Sequence, residues 1–225
     1  MPSTPPTPIT CLVTPGETTR ETTPESEEFR DLLALVARAV AAGVALIQLR
    51  EKNLSARTLH QLAARAAALA RGTETRILVN DRADIALASR CDGVQLTAQS
   101  LEARVVRRVF GERFLVGVST HSRREAREAR DGGADFAIFG PVFDTPSKRA
   151  YGLPLGLEDL REAALALAPF PLLAVGGITL ENMYDVLRAG AAGLAAIRMF
   201  VESRDLVETV RALENLSTLG DTPAG

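Results

Sequence analysis

Eight short apolar runs recur along this chain at nearly even spacing, and the segments between them repeat their apolar residues at helical period. The first four runs are ITCLVT (9–14), ALIQLR (45–50), RILVND (76–81) and GVQLT (93–97). The second four are FLVGVST (114–120), DFAIFG (135–140), PLLAVGG (171–177) and GLAAIRM (193–199). None alternates cleanly between apolar and polar, as expected of strands buried on both faces, and parallel sheets are built from such strands. Helical patterns cover 27–43, 55–72, 122–133, 156–168, 179–191 and 203–216, with Ser55 as a cap candidate and Gly43 and Gly72 as stops. The stretch DRADIALAS after the third run reads as a further helix start. Eight strand–helix pairs in 225 residues predict an α/β fold, a single-domain (β/α)8 TIM barrel over 9–216. An open doubly wound sheet is the alternative, but no GxGxxG follows the first run. Residues 1–8 are proline-rich and expected to be disordered, and 217–225 to form a flexible tail. The connection 140–155 is the longest inside the barrel and a candidate lid.

Composition excludes several function classes. Lys plus Arg is 26 against 28 for Asp plus Glu, so no basic excess points to nucleic acid. No apolar run approaches the ~18 residues of a membrane span, and the start lacks a signal-peptide pattern. The 2 cysteines, Cys11 and Cys91, form no CxxC pair and read as buried reduced thiols of a cytoplasmic protein.

In such a barrel, functional groups stand on the loops at the carboxyl ends of the strands. Those ends are rich in groups that suit phosphate oxygens: cations, hydroxyls and glycine backbone. Gln48, Arg50, Glu51 and Lys52 follow the second run, and Asn80 and Asp81 end the third. Ser119, Thr120 and His121 end the fifth; Thr145, Ser147 and Lys148 follow the sixth; Gly176 and Gly177 end the seventh. Asn80 and Asp81 offer hard oxygens for a magnesium ion. Each has a plainer alternative. Arg50 and Lys52 serve equally as solvated charges, Asp81 and His121 as helix caps, and Gly176–Gly177 as a tight turn. His60 lies mid-helix, far from any strand end, and reads as structural.

The motifs QLREK (48–52), VNDRADIAL (79–87), DGVQL (92–96), GVSTHS (117–122), GADFAIFGPVFDTPSK (133–148), PLGLEDL (154–160) and VGGIT (175–179) resemble the thiamine phosphate synthase family, whose superfamily includes the thiazole tautomerases. The resemblance runs from about residue 9 to 214. It implies coupling of hydroxymethylpyrimidine diphosphate to a thiazole phosphate, with loss of diphosphate and Mg2+ as cofactor. It assigns Gln48, Arg50, Lys52 and Asn80 to the pyrimidine diphosphate, Asp81 to the metal and Ser119 to the pyrimidine. Thr145 and Ser147 fall to the thiazole phosphate, Lys148 to the diphosphate, and Gly177, beside Gly176, to the second phosphate. Arg50, Lys52, Ser119 and Lys148 are the implied catalytic set. Phosphorylated small molecules are the implied partners, and a homo-oligomer is left open.

Three departures keep alternatives open. Where the family has a histidine and then GQED, this chain reads GVQLTAQSL, with Gln95 for the histidine and Ser100 for a metal-binding Asp. Glu102 or water is the compensation expected there. VQL is closer to the tautomerases, in which a residue matching His121 is the acid/base. Arg198, expected on the eighth strand, stands where the family has a serine near the thiazole phosphate. A tautomerase, with His121 as its acid/base, and a non-catalytic binder of phosphorylated ligands are therefore the two further readings.

Overall fold

The computed structural model describes residues 7–145 and 153–216. All eight expected strands are present: β1 Ile9–Val13, β2 Leu46–Leu49, β3 Arg76–Asn80, β4 Gly93–Leu96, β5 Leu115–Thr120, β6 Phe136–Phe139, β7 Leu172–Val175 and β8 Gly193–Ala196. They close into one parallel barrel in chain order, β1 pairing with both β2 and β8. The helices are α1 Glu27–Ala41, α2 Ala56–Ala70, α3 Ala83–Ala88, α4 Ala103–Phe110, α5 Arg123–Asp131, α6 Gly156–Leu167, α7 Met183–Arg188, α8 Arg198–Val201 and α9 Leu206–Leu216. Ser55 caps α2 by accepting from Thr58 N–H at 3.1 Å, and Gly43 and Gly72 take left-handed backbone just past α1 and α2.

Three local expectations need correction. The helix α4 escapes sequence reasoning because its stretch, ARVVRRVF, carries three arginines and buries only Ala103 and Val106. The expected helix 179–191 shrinks to Met183–Arg188, because the chain first turns at Thr179, whose N–H donates to Asn182 Oδ1 at 2.9 Å. The eighth strand stops at Ala196, so Arg198 opens α8 rather than lying on a strand.

Strand side chains alternate between the lumen and the helical shell. The lumen holds its own apolar cluster, including Cys11, Leu46, Leu78, Phe136, Ile138 and Leu173, and a larger cluster fills the space between strands and helices. Toward the carboxyl ends of β2 to β5 the same inward positions change character, to Gln48, Asn80, Gln95 and Ser119. One arc of the lumen is thus lined by amides and a hydroxyl, while β1, β6, β7 and β8 keep apolar residues.

Both cysteines are buried and unpaired. Burial pushes the Cys11 thiol up to about 12 and Cys91 up to about 11. Neither is expected to react with iodoacetamide at pH 8 while the protein is folded, and both after unfolding. Intact-mass analysis reads the difference, and labelling of native protein would contradict this packing.

Candidate functional site

The parallel barrel brings every strand's carboxyl end to one rim, and the polar arc there is wired by hydrogen bonds. Gln48 and Asn80 are buried. Gln48 Nε2–H donates to Asn80 Oδ1 at 2.9 Å, and Asn80 Nδ2–H donates to Asp81 Oδ2 at 2.8 Å. Asp81 Oδ1 accepts from the Ser100 hydroxyl and from Thr97 Oγ1–H, the latter at 3.1 Å. Asp81 itself has φ +60°, a left-handed conformation that aspartate tolerates better than most residues. It does not cap α3, whose N-cap is Arg82, a residue held instead by Asp84. The carboxylate is turned to the rim.

The neighbouring loop is held by a residue that sequence reasoning left without a role. Glu51 is 2% exposed and accepts from Gly16 N–H at 3.1 Å, Thr18 N–H at 3.4 Å and Thr18 Oγ1–H at 2.7 Å. It ties the β1–α1 connection to the end of β2. Arg50 sits between these anchors: its N–H donates to Thr14 Oγ1 at 2.8 Å, and its Nη1 would lie 3.3 Å from a Cβ added at Gly16. Lys52 is exposed on the same loop.

Gly176 and Gly177 have φ +98° and +66°. A Cβ at Gly176 would lie 2.6 Å from Pro141 Cβ, and one at Gly177 2.7 Å from Phe143 Cβ. Glycine is needed at both because residues 141–144 cross here, Val142 N–H donating to Val175 O at 2.8 Å and Phe143 N–H to Gly176 O at 3.1 Å. On the return side Leu155 N–H donates to Pro141 O at 2.8 Å. Thr145 is buried at this base. Ser147, Lys148 and the middle of the candidate lid lie outside the described residues.

His121 is exposed beyond β5, its N–H donating to Glu125 Oε2 at 2.7 Å and its Nδ1 lying 2.5 Å from Gly140 O. A carbonyl only accepts, so Nδ1 carries the proton and the neutral ring keeps its lone pair on Nε2. Arg198 is exposed at the start of α8.

A cavity of about 620 Å³ opens beside β4 and β5, lined by Thr97, Ser100, Ser119 and Thr120 from the strand ends and by Glu125, Glu128 and Asp131 from α5. Gln48, Arg50 and Asn80 lie outside its lining. A second hollow of about 490 Å³ opens at the opposite end of the barrel, where α2 and α3 finish, and includes His60, Arg71, Arg76 and Arg90. Arg76 there is paired with Asp92 at 3.6 Å.

Among the described residues no three His, Cys, Asp or Glu side chains gather as a metal site. Asp81 supplies one carboxylate, with Ser100 and Thr97 hydroxyls against it. Glu102 does not compensate for the missing second acid: it is exposed and paired with Arg104 at 2.5 Å. This donor set suits magnesium, which commonly takes one or two carboxylates and completes its shell with phosphate oxygens and water. It does not suit a cation that needs an all-protein cage. Sequence reasoning missed Thr97 and gave Glu51 no role of its own; the contacts that give them roles lie 16 and 33 to 35 residues away, beyond any local pattern.

Comparison with known proteins gives the family. Residues 21–200 match the family model described as thiamine monophosphate synthase. A putative thiamine-phosphate synthase of Geobacter sulfurreducens is 47% identical over 184 residues, 82% of this chain and 86% of that protein. The thiamine-phosphate synthase of Chlorobium luteolum is 39% identical over 223 residues, 99% of this chain and 98% of that one. The solved thiamine phosphate pyrophosphorylase of Pyrococcus furiosus superposes with a TM-score of 0.75 at 29% identity, covering 94% of this chain and 96% of that chain. A closed eight-stranded parallel barrel, a hydrogen-bonded amide–carboxylate row on its rim and likeness over nearly the full length agree: the chain belongs to the thiamine monophosphate synthase family.

Proposed function

We propose that this protein is a thiamine-phosphate synthase, a transferase that joins hydroxymethylpyrimidine diphosphate to a thiazole phosphate and releases diphosphate. The observation that carries the reading is the row Gln48–Asn80–Asp81 with Ser100 and Thr97 at its end. The row sets amides, hydroxyls and one carboxylate side by side on the rim, next to Arg50. A proton-shifting tautomerase has no need of such a set.

In the reaction, the bond between the pyrimidine methylene carbon and the diphosphate oxygen breaks, and both its electrons leave with diphosphate. The methylene cation is stabilised by the ring, and the thiazole nitrogen lone pair then forms the new C–N bond. No proton has to be removed by the protein. Its task is to stabilise charge growing on the leaving oxygens. Arg50, braced by Thr14, and Lys52 supply cations there, and Lys148 is proposed to join them. Gln48 and Ser119 hold the pyrimidine, Asn80 the diphosphate, and Gly177, Thr145 and Ser147 the thiazole phosphate. Arg198, exposed at the start of α8, adds charge to that second phosphate. Bound magnesium, held by Asp81 with Ser100 beside it, would supply further positive charge to the diphosphate. No helix among the described residues is long and apolar enough to cross a membrane.

Purified protein given both substrates and Mg2+ is expected to form thiamine phosphate and diphosphate in equal amounts, and a chelator to stop it. Isomerisation of the thiazole carboxylate phosphate without coupling, abolished by His121→Ala, would replace this reading with the tautomerase. Calorimetric binding with neither reaction would replace it with a ligand-binding protein.

A further inference from the structure

We infer that Gln95 is a positioning residue, whose amide aims the Ser119 hydroxyl proton at an acceptor nitrogen of the pyrimidine substrate. The inference rests on the synthase reading above. Gln95 is wholly buried at an inward position of β4. Its Nε2–H donates to Ser119 Oγ at 3.1 Å. Its Oε1 is sealed from solvent with no hydrogen-bond partner, the one such side-chain atom among the described residues. A buried carbonyl left unpaired costs stability, and a methionine would fill similar space without that cost.

The barrel makes a second concession to this amide. Gly117 stands opposite Gln95 in register, and a Cβ there would lie 2.2 Å from Gln95 Oε1 and 2.4 Å from Phe136 Cζ. Glycine inside a strand is itself unfavourable. Two unfavourable choices, an unpaired oxygen and an interior glycine, thus serve one side-chain hydrogen bond, the one to Ser119. The residue also steadies the carboxylate of the rim from behind, because Gln95 O accepts from Asp81 N–H at 3.0 Å.

The bond decides what Ser119 does. A serine hydroxyl has one proton and two lone pairs. With a lone pair taken by Gln95 Nε2–H, the proton is turned to the remaining directions. Ser119 is half-buried near the carboxyl end of β5, on the same inward side as Gln95. Toward the pyrimidine proposed for this rim it would act as a donor, and the matching group is an unprotonated ring nitrogen. Turning the amide over would consume the serine proton and would seal an N–H group without an acceptor next to Phe136.

The test compares wild type, Gln95→Met, Ser119→Ala and the double variant. Calorimetry measures binding of hydroxymethylpyrimidine diphosphate, and steady-state kinetics gives KM and kcat. Each single variant is expected to weaken binding and raise KM about tenfold, with kcat changed less than about threefold. The double variant is expected to be no more than about threefold worse than either single, because both remove one interaction. The thermal midpoint of Gln95→Met is expected to hold or rise. Gly117→Ala, which pushes the amide away from Ser119, gives the same loss by another route if Gln95→Met does not fold. Wild-type binding by Gln95→Met, or single effects that multiply to about a hundredfold, overturns the inference alone. A wild-type protein that neither binds nor turns over the pyrimidine overturns the synthase reading and this inference with it.

Discussion

Asp81→Asn is expected to lower kcat by about two to three orders of magnitude while leaving the fold intact. The substitution keeps the shape of the side chain, and asparagine tolerates the left-handed backbone found there, φ +60°. What it removes is the anionic charge to which Asn80, Ser100 and Thr97 all donate. Glu102, the acid nearest Ser100 in sequence, is exposed and paired with Arg104, and Asp84 is held by Arg82, so no second carboxylate takes over. The loss should be smaller at high magnesium, since a weakened site is refilled by mass action. The measurement is kcat across a magnesium titration, beside a thermal melt. Near wild-type turnover at low magnesium would remove Asp81 from the assigned site.

Glu51→Ala should act first on stability. Its carboxylate is 2% exposed and accepts three hydrogen bonds from residues 16 and 18. Removing it leaves Gly16 N–H and the Thr18 donors short of a partner in a region water reaches poorly. The expected cost is about 3 kcal/mol, which lowers the melting temperature by about 6–12 °C in a domain of this size. Turnover should fall as well, because the β1–α1 connection carries Thr14 and Gly16, which brace Arg50. A rise in KM for the diphosphate substrate, measured well below the melting temperature, separates this from simple unfolding. A variant that melts within about 2 °C of wild type would show the anchor to be dispensable.

The strands were legible in the sequence because a strand buried on both faces has little choice but to be short and apolar, and each of the eight is. The helix α4 was not, since its buried face amounts to Ala103 and Val106 among arginines. The barrel rule made Gln48, Asn80, Asp81 and Ser119 visible as candidates: a polar residue ending an apolar run has to face somewhere. Whether Asp81 capped a helix or faced the rim was undecidable until the loop after β4 folded back to bring Ser100 and Thr97 against it. Glu51 and Gln95 were quoted inside motifs without a role, because each is defined by partners on another strand or loop. Gly176 and Gly177 are needed because residues 141–144 cross there and exclude a Cβ at either, a constraint that the sequence reading of a tight turn did not contain.

The amide row on β2 and β3 has a built-in sense of direction. A carboxylate carries no proton to give, so Asp81 compels Asn80 to turn its NH2 outward along the rim, which in turn compels Gln48 to spend an N–H on Asn80. Gln48 Oε1 is left as the unspent terminus of the row. An amino group approaching that end of the row would therefore meet an acceptor rather than a competing N–H.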